Sequence, residues 1–213
     1  MQSRFLKRMP LASYSFVAAI SMLCTNIAVR GEELSGAALL KVLRAGGNTL
    51  VMRHANAPAA LPDDATADKE NAKHERQLDD AGKKDAAAIG AAIKQLHIPI
   101  TEILSSPTFR ARETVKYASL GNPQVVADLD ENPQGMTAAD APGSAWLKTK
   151  SATPQKASTN VLLVTHFPNI RGAFGDAATK VEAGEILVVH ADKSSATIVG
   201  RIKPQDWAPL VGK

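Results

Sequence analysis

The sequence predicts a three-layer α/β/α sandwich with a largely parallel central sheet. Three observations carry that expectation. Short apolar runs alternate with longer stretches whose apolar residues recur at helical spacing, the pattern of strand–helix–strand units. The run Val161–Thr165, VLLVT, reads as a strand covered on both faces. No Pro- or Gly-rich linker divides the chain, and its 213 residues suit one domain.

The elements follow in order. Residues 1–31 read as a signal peptide and residues 32–213 as the folded domain. Arg4, Lys7 and Arg8 form a positive start, Leu11 to Leu23 is mostly apolar, and small residues place cleavage near Ala28 or Gly31. The apolar run is short for a membrane span. Leu23 stands before Cys24 where a lipidated cysteine would follow a small residue. Glu32 to Ala45 has helical spacing through Leu34, Leu40 and Leu43, and Gly46-Gly47 stops it. Asn48 to Met52 is a short strand. Ala55 to Glu75 is polar and reads as a loop or mobile excursion. Asp80 to Leu96 is a helix with Ile89 and Ile93 on its apolar face, and Ile100 to Leu104 is the next strand. Ser106-Pro107 is expected to open a helix reaching about Leu120, serine as cap and proline in the first turn. Val125 to Leu129 reads as a strand. Asn132 to Asn160 holds one short helix near Trp146. Ile186 to His190 and Thr197 to Ile202 read as strands joined by a turn at Asp192-Lys193-Ser194.

Composition narrows the function. The formal net charge of +4 comes from 25 basic and 21 acidic residues. Residues 1–31 hold four of the basic residues and none of the acids, so the domain itself is balanced. That removes the electrostatic case for nucleic acid. Aromatics make up 4%, too few for a base-stacking platform. Cys24 is the only cysteine and leaves with the signal, so the domain has no disulfide, thiol nucleophile or thiolate metal site. This suits a periplasmic or secreted protein with no stable membrane insertion after cleavage.

Three strand ends carry the chemistry. LVMRHANAP puts Arg53 and His54 after the first strand. ILSSPTFRARETVKY puts Arg110 one turn into a helix, and VLLVTHFPN puts His166 directly after a strand. Ligands of open parallel sheets bind outside the carboxyl ends of the strands. If these strands are neighbours, two arginines and two histidines converge there. Arginine matches phosphate oxygens in charge and geometry. The helix start at Ser106-Pro107 adds amide donors for an anion. A neutral imidazole has a lone pair that can accept a phosphoryl group. The arginines and second histidine would offset charge on the equatorial oxygens, and a carboxylic acid would protonate the leaving oxygen.

Taken together, LVMRHANAP, SSPTFRARET and VTHFPNI resemble the histidine phosphatase superfamily, which includes the phosphoglycerate mutases. RQLDDAGKKDA, GEILVVHAD and GRIKPQDW also resemble segments of that family, so the likeness covers about residues 47–208. It is nearest to small, signal-bearing bacterial members. The resemblance implies a phosphoglycerate mutase-like fold with His54 as the nucleophile that becomes phosphohistidine. It implies a phosphate pocket of Arg53, Arg110 and His166. DLDENPQG resembles the family's Leu-x-Glu segment and makes Glu131 the candidate general acid, with Asp128 and Asp130 as competitors and an acid elsewhere, or none, as the alternatives. Arg76 matches an Arg-x-Leu in RQL; it supports the pocket or its loop, or else pairs with a neighbouring acid. Two departures stand out. Ala55 replaces the usual glycine after His54, a methyl that tightens the pocket. Phe167-Pro168-Asn169 follow His166 where glycine, asparagine or aspartate is common, which bears on leaving-group access.

The remaining candidates have plainer readings. Arg112 cannot share a helix face with Arg110 and is expected to pair with an acid. His74, His97 and His190 lie outside the motifs and read as surface or packing residues. Arginines beside His54 and His166 would repel a metal cation. The motifs of serine hydrolases, P-loop enzymes and zinc proteases are absent from the sequence. The expectation is an exported phosphatase, free of metal and cofactor, acting on a small phosphorylated substrate. The alternatives are a catalytically degenerate phosphate-ligand-binding protein and a phosphohistidine-protein phosphatase.

Overall fold

The computed structural model describes residues 32–192 and 195–212. The expected signal peptide lies outside them, as do Lys193 and Ser194 of the expected final turn. Among the described residues the strands are β1 (Asn48–Arg53), β2 (Ile100–Ser105), β3 (Gln124–Val125), β4 (Asn160–Thr165), β5 (Ile186–Ala191) and β6 (Ala196–Ile202). They form one sheet in the order β3-β2-β4-β1-β5-β6. β3, β2, β4 and β1 run parallel; β5 runs against β1, and β6 against β5. β4 therefore lies between β1 and β2 although it follows both in the chain.

Among the described residues six α-helices cover the sheet: α1 (Gly36–Ala45), α2 (Asp80–Gln95), α3 (Phe109–Ala118), α4 (Pro142–Ser151), α5 (Phe167–Phe174) and α6 (Trp207–Val211). Strand side chains alternate between faces, and that alternation makes two cores. Leu50, Met52, Leu162 and Val164 meet Leu39 and Leu43 of α1, Ile89 and Ile93 of α2, Val115 of α3 and Trp207 of α6. On the other face Val51, Leu163 and Leu187 meet Leu147 of α4 and Ile170 of α5. The result is a three-layer sandwich with a largely parallel sheet. Among the described residues no helix is long and apolar enough to cross a membrane.

Several boundaries differ from expectation, each for a local reason. α1 starts at Gly36 because the Leu34 amide is already bonded to the Val199 carbonyl beside β6. The strand expected over 125–129 shrinks to Gln124–Val125, followed by a 3-10 turn at Ala127–Leu129. It is an edge segment with Val125 half exposed, and the turn carries Leu129 into the core. α3 opens at Phe109 with Thr108 as its cap residue, not at Ser106-Pro107. The Ser106 amide is still bonded to the Val164 carbonyl of β4, and its hydroxyl accepts from the Thr108 amide.

The segment after His54 is stitched rather than loose. Buried Asn71 donates to the Glu75 carbonyl and accepts from the Glu75 amide. The Asp79 side chain caps α2 through the Gly82 amide at 2.7 Å. Gly82 is required there, since a Cβ would stand 2.2 Å from the Asn56 carbonyl oxygen.

Candidate active site

The site is built from register. Arg53 pairs with Thr165 at the ends of β1 and β4. The chain then donates from the His54 amide to the Thr165 carbonyl at 3.0 Å. Ser106, leaving β2, bonds to Val164 on the other side of β4. Three adjacent parallel strands thus deliver His54, His166 and the α3 segment to one end of the sheet. The His54 and His166 ring centroids are 5.3 Å apart.

Arg110 ties the pocket together. It is buried, while Arg112 is exposed, as their helical spacing requires. Its Nε donates to His54 Nε2 at 3.3 Å. Its Nη2 donates to His166 Nδ1 at 3.0 Å and to Glu131 Oε2 at 2.8 Å. Guanidinium groups only donate, so both contacted imidazole nitrogens are bare. His54 Nδ1 lies 2.8 Å from the Ala55 carbonyl, which can only accept, so that nitrogen carries the proton. His166 is the opposite tautomer: its Nε2 donates to Ser106 Oγ at 2.8 Å. His166 thus lies between Arg110 and Ser106.

Burial disfavours the charged form of each ring. It brings His54 down to about 3, helped by the Arg110, Arg53 and Arg76 charges and opposed by the Ala55 bond. Burial, then Arg110, brings His166 down to about 2. Burial also pulls Arg53 and Arg110 below the ordinary guanidinium value, though Glu131 acts in the opposite sense on each.

The other sequence candidates fall into place unequally. Arg53 donates through Nη1 to the Val181 carbonyl at 2.7 Å, and its guanidinium lies over the Phe167 ring. Its buried Nε has no hydrogen-bond partner among the described residues. Phe167 thus braces Arg53. Arg76 donates to the Ala57 and Pro58 carbonyls, holding the segment after His54 instead of pairing with an acid. Asp128 and Asp130 are exposed, and Asp130 Oδ1 is bonded to the Glu131 amide. Glu131 is the acid of this segment that touches Arg110. Arg112 donates to the Pro107 carbonyl and lies over Phe109, rather than meeting the expected acid. His74 makes a 3.5 Å contact with Asp64, and His190 contacts Asn48.

One expected contributor is otherwise engaged. The first amides of α3 were expected to serve an anion. The Phe109 amide instead donates to Glu75 Oε2 at 2.9 Å, and the Thr108 amide to Ser106. Ala55 has an ordinary backbone, with no positive φ, and packs against Ala57, Leu78 and Ala86. Its amide donates to Thr114 Oγ1, which in turn donates to the Arg110 carbonyl.

Sequence reading missed Ser106 as a partner of His166, and it missed Glu75, Thr114 and Asn169. Thr114 had a usable signal, standing four residues after Arg110 on the same helix face. The others bond across long chain separations.

Residues 49–155 match the histidine phosphatase superfamily (branch 1). No curated protein matches the chain. Among solved structures, the chain is similar to the protein histidine phosphatase SixA complexed with tungstate. The identity is 19%, the TM-score 0.53, and the match covers 74% of this chain and 97% of that one. SixA from Agrobacterium tumefaciens matches at 18% identity and TM-score 0.52, with 74% and 97% covered. A phosphoserine phosphatase variant from Entamoeba histolytica in complex with phosphoserine matches at 13% identity and TM-score 0.51, with 75% and 98% covered.

Proposed function

Since the chain belongs to the histidine phosphatase superfamily, we propose that it is a phosphatase that hydrolyses phosphomonoesters through a phosphohistidine formed on His54. One observation carries the reading. His54 has its Nδ1 proton held by the Ala55 carbonyl and turns a bare Nε2 toward Arg110. That is the protonation state and orientation a nitrogen nucleophile needs.

In this reading the phosphoryl oxygens are held by the guanidinium groups of Arg110 and Arg53. The Nε2 lone pair attacks phosphorus as the bond to the leaving oxygen breaks. Glu131, as a carboxylic acid, gives that oxygen its proton. Water then attacks phosphorus and returns a proton to Glu131. The P–N bond breaks, its electrons return to the imidazole, and phosphate departs. His166 keeps Arg110 in register, and Arg76 adds positive charge while holding the loop. Guanidinium groups neutralise the phosphoryl charge and would repel a cation, so the scheme uses no metal or cofactor.

The substrate in this reading is a small phosphomonoester, of the kind represented by the phosphoserine bound to a protein of the same fold. We read residues 1–31 as a cleaved signal and the protein as periplasmic or secreted. A mature N-terminus just after Ala28 or Gly31 supports this, and an intact Met1 on the envelope protein overturns it.

The functional test is hydrolysis of p-nitrophenyl phosphate and a panel of natural phosphoesters with EDTA present, using the chain from Glu32. A phosphohistidine peptide belongs in the panel. EDTA-resistant turnover that disappears in His54→Ala is expected. Phosphate binding without turnover of any substrate would overturn the reading in favour of a ligand-binding protein.

A further inference from the structure

Asn169 is fully buried in the first turn of α5, three residues after His166. Its side chain grips the chain on both sides of Glu131. Nδ2 donates to the Asp130 carbonyl at 2.7 Å, and Oδ1 accepts from the Asn132 amide at 2.9 Å. Those groups belong to the peptide units flanking the Glu131 Cα. A carboxamide carries the donor and the acceptor on separate atoms, and so serves both groups at once.

The grip is anchored in turn. Asn169 Nδ2 also donates to Thr165 Oγ1 at 3.1 Å, and Thr165 Oγ1 donates to the Leu129 carbonyl at 2.8 Å. Asn132 accepts from the Gly143 amide at 3.0 Å and donates to Ser144 Oγ at 2.8 Å. α4 closes over this network so tightly that a Cβ on Gly143 would stand 2.5 Å from Asn169 Nδ2. The Glu131 carboxylate itself is partly exposed, with a 2.8 Å contact to Arg110. A long side chain in such a place has many rotamers, so fixing its backbone restricts where its oxygen can reach.

We propose that Asn169 is a positioning residue for leaving-group protonation, holding Glu131 at a fixed height beside the phosphoryl site. It touches no reacting atom and acts through Glu131. The inference rests on the reading of Glu131 as general acid. It also gives a role to the Phe167-Pro168-Asn169 departure: Phe167 braces Arg53, and Asn169 locates the acid.

The test compares two substrates. The leaving group of p-nitrophenyl phosphate departs with little protonation, whereas that of an alkyl phosphate such as glycerol phosphate requires it. Glu131→Gln should lower alkyl phosphate turnover by about 100-fold or more and p-nitrophenyl phosphate turnover far less. Asn169→Ala and Asn169→Asp should each repeat that pattern with losses of about 10-fold or more, since a carboxylate cannot donate to the Asp130 carbonyl. In a Glu131→Gln background, Asn169→Ala should cost nothing further on the alkyl phosphate. If Asn169→Ala does not fold, Asn169→Ser carries the same comparison. Equal losses on both substrates, or additive losses in the double variant, would show a merely structural Asn169. If Glu131→Gln itself does not discriminate between the substrates, the acid assignment falls, and the proposal with it.

Discussion

His54 and His166 leave neighbouring parallel strands at the same level and stand 5.3 Å apart between ring centroids, with their bare nitrogens both bonded to Arg110. One guanidinium thus reads the tautomers of two imidazoles. Several measurements follow from that arrangement.

His54→Ala should lower turnover by about 1,000-fold or more, because the variant lacks the attacking nitrogen while the arginines remain. The wild-type enzyme, quenched during turnover, should carry an acid-labile, base-stable phosphate on His54. Intact-mass analysis would show it, and a stable phosphoester in its place would refute the nitrogen nucleophile.

Arg110→Lys should be nearly as damaging as Arg110→Ala. The ammonium keeps the charge but cannot meet His54, His166 and Glu131 in one plane. Losses in kcat/KM of about 100-fold are expected for both, with KM and kcat each affected. Recovery of near-wild-type kinetics with lysine would mean that charge alone matters.

Stability should fall on acidification below pH 6.5. In the unfolded chain His54 and His166 take up protons near that pH, whereas burial holds them neutral down to about 3 and about 2 in the folded protein. The unfolded state therefore binds more protons between those limits, and stability rises with pH across that window. Each imidazole contributes a slope of up to about 1.4 kcal/mol per pH unit. Urea unfolding at pH 7 and pH 4.5 would measure it, and His166→Asn should flatten the dependence. An unchanged slope would place its origin elsewhere.

Ser106→Ala should leave the fold intact but free the Nε2 proton of His166. The tautomer preference should weaken, which nitrogen shifts of labelled histidine would register. Turnover should drop about 10-fold as Arg110 loses its fixed acceptor. Unaltered nitrogen shifts would show that Arg110 sets the tautomer by itself.

Ala55→Gly should cost about 1 kcal/mol and preserve activity. The methyl is fully buried among Ala57, Leu78 and Ala86, and the backbone does not require glycine. A faster enzyme would instead show that the methyl narrows the pocket.

The parts of this site that were legible in the sequence are local. Arg53-His54 and His166 follow apolar strands immediately, and Arg110 sits at a fixed step into the next helix, so the strand-end rule reaches them all. Glu131 was legible only through resemblance, because three acids crowd Asp128 to Glu131 and the choice depends on which one meets Arg110. The partners that hold the site were not legible. Ser106 looked like a helix cap because serine before proline is a good one. Its hydroxyl is drawn instead toward an imidazole sixty residues on. Glu75 and Asn169 bond across separations of 34 and 37 or more residues, where no sequence periodicity reports the pairing. The shortened edge strand failed for a related reason: burial of Leu129 outweighed the β-propensity of its neighbours.

The placement of β4 between β1 and β2 also has a consequence for the order of assembly. As the chain is made from its N-terminus, β1 and β2 emerge long before the strand that separates and joins them. Until residues 160–165 arrive, the sheet lacks the strand that sets β1 and β2 at their spacing, and His166 is missing from the site. A chain cut short before that point would expose two apolar strand edges and carry no catalytic centre. The complete site thus depends on the last of its three strands to be made.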